Sequence, residues 1–212
     1  MPRHIKIGII VLGVGLAVAV GFFVDVVGRV QSLMKNDKET EENPFKAPPQ
    51  PLYAPTDPPI MVKIFFPQTS GDTLLTAEDQ TIFKSAELAN RARQILQKLR
   101  EGPHSDAMAP SLPKDTKVDD LFISEQGTAF IDFSNAIAAN HPGGVQNELA
   151  TIYSIVNSLT YNLPEIKHVK IHVGGVEKET LAGHSLLLLP LEMDLSLTNV
   201  TPSHEEKTAT LR

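Results

Sequence analysis

The stretch LFISEQGTAFIDF, Leu121–Phe133, decides how the rest of the chain is read. Runs of aromatic and β-branched residues flank Gln126-Gly127, so the segment predicts a β-hairpin that turns at that pair. A turn at Gln126 sets Phe122 opposite Phe130. Side chains alternate along a strand, so both rings fall on the face opposite Leu121, Ile123, Ile131 and Phe133. One face of the hairpin is thus apolar enough for a core, and the other carries phenylalanines.

Working outward, IMVKIFF (Ile60–Phe66) reads as a strand in which Val62, Ile64 and Phe66 alternate with Met61, Lys63 and Phe65. TLLTAEDQTIF is a weaker strand candidate. Ser85 is a candidate cap for a helix through Arg100, because Leu88, Ala92, Ile95, Leu96 and Leu99 form one stripe. Gly102-Pro103 ends it: glycine takes a left-handed position and proline blocks continuation. A second apolar stripe, Val145, Leu149, Ile152, Tyr153, Val156 and Leu159, predicts another helix that stops before Pro164. KHVKIHV predicts a strand with Val169, Ile171 and Val173 inward and His168, Lys170 and His172 toward solvent. HSLLLLPLEM is a last apolar run, too short to span a bilayer. The order β, β, α, hairpin, α, β predicts an α+β fold: a mostly antiparallel sheet with two amphipathic helices packed on one face.

The chain has 212 residues, is 42% hydrophobic and 21% charged, carries a formal net charge of −6 and contains no cysteine. The acidic balance argues against nucleic acid as a partner. The absence of thiols removes disulfides, thiolate catalysis and iron–sulfur clusters. Ile7–Val24 is an uncharged run whose eighteen residues give ~27 Å as a helix, enough for a hydrocarbon core. Ala17-Val18-Ala19 resembles a signal cleavage site, but the apolar run continues beyond it, which favours a retained anchor. Cations flank both sides, so the positive-inside rule gives no firm orientation; a short tail before a large domain suggests a signal anchor with the domain outside. NDKETEEN and seven prolines from Pro44 to Pro59 predict an extended spacer. The expected layout is an anchor over 1–30, a linker over 31–59, one domain over 60–200 and a polar tail over 201–212.

Four pieces together resemble the GerMN domain family, named from sporulation and spore-germination proteins: VKIFFP; NRARQILQKLREGP leading through LPKDTKVDDLFISEQGTAFIDFS; HPGGVQNELATIYSIVNSLT; and VKIHVGG. The resemblance covers about 60–195, in one copy. It implies an α+β fold in an exported, membrane-held protein of the bacterial cell envelope, with sporulation, germination or peptidoglycan-associated roles. The family carries no established catalytic residues, so none is transferred.

The residues themselves offer several candidate sites. In NHPGGVQNE (Asn140–Glu148), Gly143 and Gly144 can adopt φ values closed to other residues, and Glu148 falls in the first turn, where a carboxylate suits the helix dipole. These features are sufficient for a strand-to-helix connection; the functional alternative is an anion or glycan carboxylate held with His141. His168 and His172 lie four apart but on a strand with Lys170 between them, so no metal site is expected. The first helix presents Arg91, Arg93, Lys98 and Arg100 against Glu87 and Glu101, a solvated face or a site for an anionic polymer. Phe65, Phe122 and Phe130 are expected on the side of the sheet away from the helices, either covered by SLLLLPLEM or forming a partner-binding patch. The leading expectation is a non-enzymatic, single-pass inner-membrane protein that binds peptidoglycan or another envelope protein and needs no cofactor. The alternatives are a wall hydrolase, for which Asp132, Glu148 and His141 are the only plausible groups, and a self-assembling protein that pairs sheet edges.

Overall fold

The computed structural model describes residues 51–69 and 74–200, together with Pro2, 20–23, 25, 27 and 28. The chain divides into two compact units, Met1–Gln50 and Pro51–Arg212. In the first unit, residues 20–23, 25, 27 and 28 are helical. The rest of the apolar run Ile7–Val24, and residues 31–50 of the expected linker, lie outside the described residues. Among the described residues, no helix is long and apolar enough to cross a membrane.

The second unit runs β1 (Pro59–Pro67), β2 (Leu75–Phe83), α1 (Leu88–Glu101), β3 (Val118–Ile123), β4 (Thr128–Phe133), the short α2 (Ala136–Ala139), α3 (Val145–Asn162), β5 (His168–Val173) and β6 (Val176–Glu177), with a 3-10 turn at Leu195–Leu197. The α+β class and the order of elements are as predicted. Their pairing differs. Two sheets form, β1-β2 and β3-β4-β5-β6, and β4 and β5 run parallel. Parallel neighbours need a long crossover, and α2 with α3 supplies it. The hairpin turns where expected: Phe122 pairs with Phe130, and Gly127 takes φ 86° at the tip.

The apolar stripes meet in one core. Val62, Ile64 and Phe66 of β1, Ile95, Leu96 and Leu99 of α1, Ile131 and Phe133 of β4, and Ile152, Ile155, Val156 and Leu159 of α3 are buried together. Burying such a side chain contributes about 1.5–3 kcal/mol. Helix α1 starts at Leu88 with Glu87 at its N-cap, and Ser85 gives it no side-chain cap. Ser85 instead bonds through its backbone to Phe83.

Side-chain amides finish what the strands leave open. Asn162 of α3 accepts from Lys63 N at 2.8 Å and donates to Lys63 O at 2.7 Å, and Ser158 accepts from Phe65 N. These bonds cap the edge of β1 that β2 does not cover. Gln94 of α1 makes the same two-armed bond to Phe83 of β2. Asn157 makes it to Asp194, which fixes the C-terminal segment on α3. The proline-rich stretch also enters the fold earlier than its composition suggests. Tyr53 stacks on Phe83 with ring centroids 4.0 Å apart, and Pro59 pairs with Phe83. Proline is tolerated there because the first residue of a strand need not donate to the ladder.

Candidate functional site

The connection Asn140–Glu148 is built as a closed hydrogen-bonded knot. Gly143 and Gly144 have φ of 77° and 86°, so the chain can reverse into α3. The reversal brings Gly143 N–H to His141 Nδ1 at 3.0 Å. With Nδ1 accepting, Nε2 carries the proton and donates to Thr151 Oγ1 at 3.2 Å, and Thr151 passes its own hydrogen to Ser111 O at 2.8 Å. Burial pushes the His141 pKa below its ordinary value, and the nearby Glu148 charge opposes this only in part. Beside the knot is a cavity of about 250 Å³, walled by Pro67, Pro110, Pro113 and Pro142 with Ser111 and Thr151 among its polar residues. Its rigid lining is largely apolar, and His141 and Glu148 are not part of it.

Glu148 does not reach His141. It is fully buried and accepts from Ala182 N at 2.8 Å, His184 N at 3.0 Å and the His184 ring at 3.2 Å. Burial raises its pKa, but the hydrogen bonds from Ala182, Ser185 and His184 outweigh that and hold the carboxyl below its ordinary value. His141 and Glu148, two of the groups considered for a wall hydrolase, thus each accept from backbone N–H groups of the fold. Asp132, the third candidate for chemistry, is on β4 and accepts from Gly175 N at 2.9 Å.

The polar face of α1 is largely engaged. Arg91 pairs with Glu165 at 3.1 Å, Arg93 donates to Leu121 O at 3.1 Å, and Lys98 pairs with Glu101 at 2.8 Å. The contact from Arg93 satisfies a carbonyl on the outer edge of β3. The pairs of Arg91 and Lys98 lie at the surface, as on a solvated helix face.

The three phenylalanines separate. Phe65, expected on the side of the sheet away from the helices, is fully buried. It packs with Leu75 and Ala150 in a second small core and meets Tyr161 edge-on at 5.6 Å. The sequence assigns β1 one buried face, but α3 and the segment through Val200 cover the other. Phe122 and Phe130 do lie together, 6.3 Å between centroids, and Phe130 is the same distance from His172. Phe122 is 62% exposed.

Lys170 is a correction of the solvent-face expectation. It is 3% exposed, donates to Leu187 O and Leu188 O and pairs with Glu177 at 3.2 Å. The leucine run thus covers the sheet at Lys170 and stops short of Phe122. Leu187 turns inward, while Leu186, Leu188 and Leu189 stay exposed. His168 pairs with Glu192 and His172 lies near Glu177. Among the described residues, no group of three or more potential ligands could hold a metal. Sequence reasoning missed the clasps made by Glu148 and Lys170. The available signal was a single charged residue inside each apolar run, Glu148 in α3 and Lys170 in β5.

Comparison with known proteins follows the same fold. The family model for sporulation and spore germination, Germane, matches residues 63–179, more than half of the chain. The first GerMN domain of the sporulation protein GerM from Bacillus subtilis superposes with a TM-score of 0.52 at 23% identity, over 65% of this chain and 98% of that one. The tandem GerMN domains of the same protein give 0.52 at 24% identity, over 64% of this chain and 46% of that one. A provisionally assigned lipoprotein from Clostridium perfringens gives 0.46 at 25% identity, over 66% and 92% respectively. No curated protein matches the chain at a significant level.

Proposed function

This chain belongs to the Germane family of sporulation and spore germination, and from that premise we propose that it is a non-enzymatic protein of the bacterial cell envelope that binds another envelope protein. In this reading Ile7–Val24 anchors it in the inner membrane, the acidic and proline-rich stretch extends it outward, and the folded unit does the binding on the extracytoplasmic side. The observation that carries the binding role is the exposed ring of Phe122, beside the half-buried Phe130, on the outward face of the four-stranded sheet. A ring left in water on an otherwise well-packed fold is a candidate contact.

Two features speak for binding rather than catalysis. The acceptor atoms of His141 and Glu148 are committed within the fold, and Asp132 lies on a different element. Sheet-edge self-assembly is disfavoured too, because Asn162 and Ser158 cap β1 while Arg93 and Asp120 occupy the outward carbonyl and N–H of Leu121. Peptidoglycan remains the other envelope ligand to be tested.

The experiment is a pull-down with the full chain, from detergent-solubilised envelope protein and separately on purified sacculi. Retention of an envelope protein, lost with Phe122→Ser, supports the proposal. Retention on sacculi alone moves the ligand to the wall polymer.

A further inference from the structure

The outward face of the sheet carries a charge arrangement that folding alone does not require. Asp120 and Asp132 are direct cross-strand partners, and like charges set opposite one another destabilise a sheet. Each carboxylate accepts one backbone N–H, from Leu121 at 2.7 Å and from Gly175 at 2.9 Å. Neither is in an ion pair with a cation of the described residues. Lys170 continues the row of Phe122 and Phe130, but its ammonium is held by Leu187, Leu188 and Glu177. The ammonium of Lys170 is thus withheld from the two carboxylates, and the residue opposite Asp132 on β5 is His172, whose ring lies 3.7 Å from Glu177.

Phe122 and Phe130 lie two residues along the same strands and on the same face as the aspartates. An exposed ring, Phe122, beside the half-buried Phe130, therefore borders a carboxylate pair that is in no ion pair among the described residues. We propose that this face docks an arginine-bearing apolar segment of a partner protein, with the guanidinium against the ring of Phe122 and forked toward Asp120 and Asp132, and the flanking apolar residues on Phe130. This rests on the reading that the domain binds protein through this face. Arginine fits better than lysine because its planar head stacks on a ring and donates to carboxylates in a fixed fork. Among the described residues of a second copy, Arg91 and Arg93 are engaged and Arg100 is followed by Glu101; Arg29, between Gly28 and Val30, is the arginine of this chain with apolar neighbours, so the crosslink must distinguish another protein from another copy.

The test uses the full chain in the membranes of cells that make it, with Phe122 replaced by a photo-crosslinking benzoyl-phenylalanine. The crosslink is expected in a segment of another protein where arginine is flanked by apolar residues. That segment is then synthesised with arginine or with uncharged citrulline and titrated against detergent-solubilised full chain. Citrulline, and separately the double variant Asp120→Asn/Asp132→Asn, should each weaken binding about tenfold or more. Combining them should cost little further, because both remove one contact. The asparagines keep the oxygens that accept from Leu121 and Gly175, so the fold is retained and thermal unfolding checks it. A crosslink to lipid, to a second copy or to a segment without a cation overturns the inference, as does undiminished binding by the double variant. If envelope protein is still retained through Phe122 in those cases, only the inference falls. A chain that retains no envelope protein sinks the underlying reading as well.

Discussion

Lys170 and Leu187 meet across the outward face of the four-stranded sheet, Nζ to carbonyl at 3.1 Å. The same ammonium bonds the Leu188 carbonyl and pairs with Glu177. A single buried cation thus holds a loop that otherwise exposes Leu186, Leu188 and Leu189. Lys170→Met keeps the volume of the stem but leaves those carbonyls without a donor. The expected cost is about 1–3 kcal/mol, since unsatisfied buried acceptors outweigh the relief of removing a buried charge. Thermal unfolding measures it, and limited proteolysis should show faster cleavage near Leu188. An unchanged cleavage pattern would mean that the loop is held elsewhere.

Two glycines with similar backbone angles should respond differently to alanine. Gly127 has φ 86°, and a Cβ there would lie 2.6 Å from the backbone oxygen of Glu165. Gly143 has φ 77° but open space around the same position. Gly143→Ala should cost only the left-handed backbone penalty, about 1–2 kcal/mol. Gly127→Ala adds a clash with a backbone that cannot swing aside, and should cost about 2–4 kcal/mol. Equal losses in chemical denaturation would show that the hairpin tip relaxes away from Glu165.

The sequence made the hairpin, both long helices and the inward rows of the strands legible because each follows a simple period. Leu121, Ile131 and Phe133 alternate cleanly with Phe122 and Phe130, and a turn signal fixes their register. Lys170 and Phe65 were illegible for a shared reason. Alternation says which residues share a face, not what later covers that face. The cover over Lys170 is Leu187, from an aperiodic leucine run. The cover over Phe65 is α3 with the segment near Leu195. The parallel pairing of β4 with β5 was equally hidden, because strand direction depends on the path of the α2–α3 crossover. At the candidate site, the ring pair and the carboxylate pair beside it follow one register, so both were legible once the turn was placed; the bulge between Val118 and Asp120 shifts only the start of β3.

Acid should destabilise the domain in two steps. His141 and Glu148 both have native pKa values below their ordinary ones. As pH falls, the unfolded chain therefore binds protons that the native chain refuses, and stability drops. The first loss begins near the ordinary histidine value of 6.5 and continues to the lower native pKa of His141. The second begins near 4.5 and ends when native Glu148 protonates. The Asn147 backbone contact and the charge of Glu148 act on His141, and the His184 ring acts on Glu148. Melting temperatures from about pH 8 to about pH 3 should show both limbs. His141→Gln should remove the upper limb, and Glu148→Gln should shrink the lower one, to which Glu101 and Glu165, also held below their ordinary values, contribute. A parent chain without the upper limb, or a lower limb unchanged in Glu148→Gln, would rule out the corresponding assignment.

Phe65 and Phe122 have similar sequence surroundings and opposite fates, so serine at each separates packing from binding. Phe65 is fully buried against Leu75 and Ala150 with Tyr161 edge-on. Phe65→Ser leaves a ring-sized cavity and a stray hydroxyl, and should cost about 3–5 kcal/mol. Phe122 is 62% exposed, so Phe122→Ser should change stability by no more than about 0.5 kcal/mol. Any loss of binding by that variant is then a loss of contact. Salt gives a further distinction. Apolar contact with the rings persists as salt rises, whereas the attraction of a cation to Asp120 and Asp132 is screened where water reaches it. Retention of an envelope protein should therefore weaken with salt without vanishing, and the Asp120→Asn/Asp132→Asn variant should bind with a flatter salt response. Binding that disappears at raised salt and is indifferent to Phe122→Ser would move the contact away from the rings, to the remaining charges of α1.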